Sequence, residues 1–275
     1  MERMALKTTT EKNPAFPSIG QAAVLLMFLL LFEWIAIALL VDVFSLRANE
    51  RELMWSMSAL LGNAALMTLI LHYKQLTYRA LFHASPNSIG ATLGLLTLPI
   101  ALLVPALVLT NMALYALLVS AFPISQYQNV VFERMTFNGP LTVIMVCILA
   151  PFLEEMLFRG IFLRSFLEQY PRRRAYLASA LLFGAFHMNL YQFVMASLGG
   201  LLLAWLYEKS RSLWPCIALH AMYNSAVTLM WGAYGGTAGS EDEFPLAIWL
   251  ICFVLAFAGA SLLRILLGSR RTPQQ

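Results

Sequence analysis

The chain has 275 residues, of which 60% are apolar and only 12% are charged, with a formal net charge of +4. A soluble domain carries about 25% charged and about 45–50% apolar residues, so this composition excludes a large separate soluble domain. It predicts a protein that lies almost entirely in the lipid bilayer. Basic residues in such a protein mainly set its orientation, and the net charge therefore indicates no nucleic-acid partner.

Hydropathy predicts an all-α, polytopic fold with about eight transmembrane helices. We expect a single transmembrane domain over 1–275, preceded by a polar N-terminal tail over 1–18, with the chemistry in a core over 139–234. The first apolar run is too long for a cleaved signal peptide, so it should be retained as a span. The predicted spans cover 19–43, 53–73, 88–122, 139–166, 175–188, 191–207, 213–234 and 244–267.

The distribution of Lys and Arg predicts the side of the membrane that each loop faces. With eight spans and a cytoplasmic N-terminus, nearly all of the 18 basic residues fall in cytoplasmic segments. Only Arg47, Arg51 and Arg134 fall in outer loops, and the acidic run 241–243 also lies outside. We therefore expect both termini to be cytoplasmic.

The fourth predicted span carries two adjacent carboxylates and an arginine at bilayer depth, where a charge needs either a partner or a task. Glu155 and Arg159 are four residues apart on one helix face, with the glutamate on the favourable N-terminal side. Such a pair would orient the helix and keep Glu155 ionised. Glu154 points about 100° away and has no counter-charge near it in sequence. The pattern fits either a structural ion network or a carboxylate kept for proton chemistry.

Three more polar residues lie in the next spans. His187 is near the outer end of the fifth span, and His220 and Asn224 are four residues apart on one face of the seventh. Glu154 and His187 are about equally far in sequence from the turn between spans four and five, so an antiparallel pair brings them to similar depth. A single membrane histidine more often bonds a neighbouring helix than catalyses. Their common depth nevertheless predicts a shared site.

The polar positions form three motifs in chain order, namely Glu154-Glu155-x-x-x-Arg159, Phe183-x-x-x-His187 and His220-x-x-x-Asn224. Together they resemble the signature motifs of the CPBP family, which comprises the type II CAAX prenyl endopeptidases and the bacterial Abi proteins. The resemblance covers about 152–224. It implies an eight-helix intramembrane endopeptidase in a bacterial inner or plasma membrane, with a catalytic cavity formed by helices four to seven and open to the cytoplasm.

The resemblance also implies a role for each motif residue. Glu154 and His187 would activate a water, and His220 and Asn224 would bind the oxyanion. Peptide hydrolysis needs an activated water, an oxyanion stabiliser and a proton donor for the leaving amine, and this set can supply all three. The expected substrate is a peptide or protein at the membrane. Whether that substrate is lipidated is left open.

A metal-activated water is the alternative to a glutamate-activated one. One carboxylate and two imidazoles match a catalytic Zn²⁺ set, and the candidate ligands are Glu154, His187 and His220. The three cysteines form no CxxC pair and suggest no thiolate zinc site. Asn224 favours the glutamate mechanism, because an amide is a poor metal ligand but a good donor.

Two functions without peptidase activity also fit the polar residues. One is a proton-coupled transporter in which Glu154 and the histidines relay protons, although no inverted repeat with paired broken helices is evident. The other is a non-catalytic immunity or scaffold protein of the same fold. Glu33 in the first span is the other deep charge, and it is expected to bond a neighbouring helix.

Overall fold

The computed structural model describes residues 15–44, 50–126, 139–234 and 244–268. Within these ranges the chain is almost wholly helical, and an isolated bridge between His83 and Ser212 is the one β-type pairing. The predicted all-α polytopic fold is therefore confirmed. Most of the predicted N-terminal tail and the acidic run of the last loop lie outside the described residues.

Eight of the helices in the described ranges correspond to the eight predicted spans, and one short helix, α3, was not predicted. In chain order they are α1 Ile19–Asp42, α2 Arg51–Lys74, α3 Tyr78–Phe82, α4 Ile89–Ala121, α5 Pro140–Gln169, α6 Arg172–Phe186, α7 Leu190–Ser210, α8 Trp214–Tyr234 and α9 Leu246–Gly268.

Six of these helices are long and apolar enough to cross a membrane, namely α1, α2, α4, α5, α7 and α9. The other two predicted spans fall short for different reasons. Helix α6 has only 15 residues, whereas a bilayer core of about 30 Å requires about 20 helical residues. Helix α8 has 21 residues, but polar groups such as His220 and Asn224 lower its hydropathy. The two weakest spans are thus the ones that carry the second and third motifs.

Helix α5 is not a uniform α-helix. The segments Met145–Leu149 and Met156–Leu163 are π-helical, and the α-helical turn Ala150–Glu155 between them carries the two glutamates. Pro151 lies in this turn and has no backbone N–H, so the regular hydrogen-bond ladder cannot continue through it. Short π segments inside α-helices occur frequently at functional sites.

Side-chain hydrogen bonds fix both ends of α5 to the first two helices. At its start, the Gly139 N–H and the Thr142 hydroxyl donate to Glu52 of α2 at 2.9 and 2.7 Å. At its end, Ser165 and Gln169 donate to the Pro17 carbonyl, just before α1, at 2.9 and 2.8 Å. The motif-bearing helix is therefore held in a defined axial position.

The remaining helices surround α5 in packed pairs. Helix α1 packs against α2, α6 against α7, and both α8 and α9 pack against α4. The centre of the apolar core comes from the second half of α5, where Phe158, Phe162 and Phe166 are fully buried. The two glutamates directly precede this buried segment along α5.

Candidate active site

Glu155 and Arg159 form the ion pair that their spacing predicted. Arg159 Nη1 donates to Glu155 Oε1 at 3.0 Å, and both side chains are completely buried. The guanidinium also donates to the Gly200 carbonyl of α7 at 3.4 Å and lies over the Phe183 ring of α6, 4.4 Å from its centre. One arginine of α5 therefore contacts both helices of the α6–α7 pair.

Gly200 makes room for this arrangement. A Cβ at Gly200 would lie 3.1 Å from the Cα of Ala180 in α6 and 3.4 Å from Arg159 Nη2. The adjacent Gly199 has nothing within 4 Å. Of the two glycines that could allow close helix approach, only Gly200 has that function.

His220 of α8 is the third member of the buried network. Its Nδ1 lies 2.9 Å from Glu155 Oε1, the oxygen that also accepts from Arg159. A carboxylate paired with an arginine is ionised and can only accept hydrogen bonds, so Nδ1 carries the hydrogen in this contact. The other ring nitrogen, Nε2, is then free to accept, and it lies 3.8 Å from Glu154 Oε2.

Glu154 is placed differently from its neighbour. Its side chain is 19% exposed, yet Oε2 is buried and has no hydrogen-bond partner. Glu155 Oε2 and Arg159 Nε are also buried without a partner. Buried polar atoms are nearly always satisfied by protein or ordered water, so these atoms mark a place where further hydrogen-bonding groups belong.

Glu33 of α1 lies against the neighbouring helix α2. A Cβ added to Gly62 would lie 2.6 Å from Glu33 Cγ, so the glycine makes room for this side chain. The hydrogen bond to a neighbouring helix that the sequence indicated for Glu33 stays a prediction.

His187 ends α6 and does not form a close ion pair with Glu154. Among the described residues, the imidazole within 4 Å of a Glu154 oxygen belongs to His220. His187 Nδ1 donates to the Phe183 carbonyl at 3.0 Å, and its ring stands edge-on to the Phe183 ring at 5.3 Å. This bond directs the ring back along α6, which ends at Phe186. Phe183 links it to the site, since the same ring contacts Arg159 and His220.

Asn224 faces α5 rather than open space. Its Nδ2 donates to the Val146 carbonyl at 2.9 Å, in the first π segment. One turn further, the Thr228 hydroxyl lies 3.6 Å from Cys147 Sγ. Helix α8 therefore presents a polar face to α5, made by His220, Asn224 and Thr228. Sequence analysis did not select Val146 or Thr228, because a backbone carbonyl and a single threonine form no recognisable pattern.

The candidate zinc ligands do not all meet. His220 and Glu154 are neighbours, but His187 is held elsewhere by Phe183. Over the part of the chain that the structure describes, no three His, Cys, Asp or Glu side chains are gathered as a metal site requires. Binding of zinc by Glu154, His187 and His220 therefore stays a prediction.

Comparison with known proteins agrees with the three motifs. A family model described as type II CAAX prenyl endopeptidase Rce1-like matches residues 136–226. A protein named "Putative membrane peptidase YdiL" from Bacillus subtilis (strain 168) is 33% identical over 91 residues, which are 33% of this chain and 37% of that protein. The chain thus matches little more than a third of the length of this curated relative. No solved structure matches.

The matched segment contains every motif residue and spans α5 to α8. This segment of the chain is thus similar to the Rce1-like endopeptidases, and the resemblance drawn from the motifs is confirmed. This similarity and the six apolar helices together support an integral membrane protein.

Proposed function

We propose that this protein is an intramembrane endopeptidase in which Glu154 and His220 together activate the attacking water. The observation that supports this most strongly is the pairing of Glu154 Oε2, buried without a hydrogen-bond partner, with His220 Nε2 at 3.8 Å. Both atoms are acceptors when Glu154 is ionised and His220 Nδ1 carries the ring hydrogen. A water about 2.8 Å from each can donate to both, and it satisfies them together.

Glu155 and Arg159 act on the site by orienting His220. The bond from His220 Nδ1 to Glu155 fixes the tautomer and the ring plane, as an acidic residue does in a catalytic triad. Arg159 keeps Glu155 ionised, because its guanidinium donates a hydrogen bond to the buried carboxylate. The ionised Glu155 then holds the hydrogen on His220 Nδ1 and leaves Nε2 to face the water.

The reaction proceeds by proton transfer among these groups. The water oxygen bonds to the carbonyl carbon of the substrate while one of its protons passes to the Glu154–His220 pair. The C–N bond of the resulting tetrahedral intermediate then breaks, and that proton passes to the leaving nitrogen. The products are a carboxylic acid and an amine.

His187 is the group we assign to the oxyanion. Because its Nδ1 is occupied by the Phe183 carbonyl, Nε2 is the position that can change protonation. A protonated His187 presents an N–H at this position, and such a donor stabilises a developing oxyanion. In the family-based assignment His187 helped to activate the water and His220 bound the oxyanion; the contacts of the two rings favour the reverse.

The substrate would be a polypeptide that reaches the middle of the bilayer. Glu154 lies about half-way along α5, the helix that spans Pro140–Gln169. We place the protein in a bacterial inner or plasma membrane with both termini in the cytoplasm, as the basic residues predict. The match to CAAX endopeptidases makes lipidated proteins one candidate class of substrate.

Glu154→Gln tests the proposal, because the amide keeps the shape but cannot act as a base. Membranes from cells that produce the natural protein should contain new protein N-termini, detected by mass spectrometry, that are absent with Glu154→Gln. Glu168→Gln is the matched control, since it changes an exposed carboxylate on the same helix. New N-termini that persist with Glu154→Gln would contradict the proposed function.

A chelator separates the two mechanisms for activating water. We expect cleavage by the purified protein to persist in the presence of EDTA. Loss of cleavage, with recovery on adding Zn²⁺, would instead support the metal-activated alternative.

A further inference from the structure

The first π segment of α5 leaves one backbone carbonyl without a donor in its own helix. The Ala150 N–H donates to the Met145 carbonyl and thereby passes over Val146, the partner it would have in an α-helix. The next residue within reach is Pro151, which has no N–H. An unsatisfied carbonyl is costly within a bilayer, so Val146 requires a donor from elsewhere.

Asn224 is that donor. Its Nδ2 lies 2.9 Å from the Val146 oxygen. Asn224 and His220 lie one turn apart on the same face of α8, so a bond that fixes one of them along α5 also fixes the other. His220 is bound to Glu155 on the next turns of α5. Two contacts therefore set the axial position of α8 against α5, one to a backbone atom and one to a carboxylate.

We infer that Asn224 is a positioning residue that binds the carbonyl left free by Pro151, and so holds His220 between Glu154 and Glu155. The catalytic consequence rests on the proposed function, whereas the structural role does not. Pro151 and Asn224 then form one unit, although they lie on different helices. Pro151 removes a backbone N–H of α5 that could donate to the Val146 carbonyl. Asn224 of α8 supplies the donor instead, and the bond aligns α8 with α5.

A double-mutant cycle tests this unit. Pro151→Ala restores an N–H that can donate to Val146, so Asn224 should become dispensable. We expect Asn224→Ala alone to lower the thermal unfolding midpoint in detergent by about 2–4 °C, and by much less when Pro151→Ala is also present. Equal losses in both backgrounds, or no loss with Asn224→Ala alone, would overturn the inference.

Ser179→Ala provides a matched control. Ser179 of α6 donates to the Phe158 carbonyl at 3.2 Å, which is also a bond from a neighbouring helix to a π-segment carbonyl, but remote from any proline. Its effect should add to that of Pro151→Ala without coupling. Solid-state NMR of the natural protein supplies a measurement that needs no variant: the coupling between ¹³C-labelled Val146 carbonyl and ¹⁵N-labelled Asn224 amide should report direct contact. Its absence in the folded protein would refute the bond.

Peptidase rates of the natural protein, the two single variants at Asn224 and Pro151, and the double variant distinguish a positioning role of Asn224 from oxyanion binding. A positioning role predicts that Pro151→Ala partly restores the rate lost in Asn224→Ala. An oxyanion donor instead predicts a loss of about 10²–10³ in both backgrounds, and that result would overturn the inference. If the natural protein shows no peptidase activity, the proposed function fails while the stability cycle still decides the role of Asn224.

Discussion

Helices α8 and α9 pack against the same helix, α4, but they are held by different interactions. Helix α8 turns a polar face toward α5, where His220 and Asn224 form hydrogen bonds. Helix α9 is apolar apart from Ser261 and Arg264, and large side chains such as Phe257 and Ile265 are more than 70% exposed on the side away from α4. Its contact with α4 depends on Gly259, where a Cβ would lie 2.5 Å from the Pro99 carbonyl.

The difference follows from the solvent. Lipid tails are as apolar as leucine, so burying leucine against another helix gains little, and helices associate through close packing or hydrogen bonds. Helix α9 associates by close packing, which does not make its insertion into the bilayer less favourable. Helix α8 associates by hydrogen bonds, and the polar side chains that form them make its insertion less favourable. Such side chains are retained in membrane helices mainly where they have a function. The two helices therefore predict a graded response to substitution.

The largest expected effect is at Arg159. Arg159→Ala leaves Glu155 buried with His220 as its one remaining hydrogen-bond partner, and breaking a buried pair costs about 3–5 kcal/mol. Denaturant unfolding in mixed micelles measures this loss. Arg173→Ala, which changes an exposed arginine of α6, should stay within about 0.5 kcal/mol of the natural protein. Equal stabilities for the two variants would mean that the buried pair contributes nothing.

The alanine variants of His220 and His187 should differ more in folding stability than in cleavage rate. We expect His220→Ala to lower the cleavage rate by about 10²–10⁴ as a base, and His187→Ala by about 10²–10³ as an oxyanion donor. Only His220→Ala should also destabilise the fold measurably, because only His220 contacts the buried carboxylate. Unfolding midpoints and initial rates on one identified substrate check both parts. A greater loss of stability with His187→Ala would reverse the assignment.

These contacts mark the limit of what the sequence predicted. The Glu155–Arg159 pair was predictable because helical spacing alone places both groups on one face. The partner of Glu154 was not, because it depends on the rotation and axial position of a second helix, which depth arguments do not determine. Equal depth favoured His187, yet α6 ends there and the ring turns back to Phe183. The helix positions were predicted to within a few residues, since long apolar runs are unambiguous.

An effect of intermediate size is expected on the apolar side of the comparison. Gly259→Val introduces atoms where α9 meets the Pro99 carbonyl, and overpacking costs about 1–3 kcal/mol. Gly94→Val on α4 is the control, because nothing lies within 4 Å of its added Cβ. Gly259→Val should therefore have an unfolding free energy about 1–3 kcal/mol lower than that of Gly94→Val. A tolerated Gly259→Val would show that α9 is not held by close packing.

A smaller effect is expected at the outer end of the polar face of α8. The Thr228 hydroxyl and Cys147 Sγ are 3.6 Å apart, and sulfur forms weak hydrogen bonds. Thr228→Val preserves the shape and removes the hydroxyl, so it should cost about 0.6 kcal/mol, the average for hydrogen bonds between membrane helices. The same unfolding assay resolves this value when several denaturant curves are averaged. If Thr228→Val cost as much as Asn224→Ala, the Thr228–Cys147 contact would hold α8 against α5 as strongly as the Asn224–Val146 bond does.

The smallest effect is expected at Phe257, which is 76% exposed on α9. In the membrane this ring faces lipid, so Phe257→Leu exchanges one apolar surface for another and should change the unfolding free energy by less than about 0.5 kcal/mol. The prediction assumes that lipid, and not protein, contacts the Phe257 ring. If another copy of the chain covered this face of α9, Phe257→Leu would remove packed contacts between the two copies. The unfolding midpoint of the natural protein would then also fall as the protein is diluted into detergent. Unfolding midpoints measured over a range of protein-to-detergent ratios distinguish the two cases, because a lipid-facing residue gives the same small difference at every ratio.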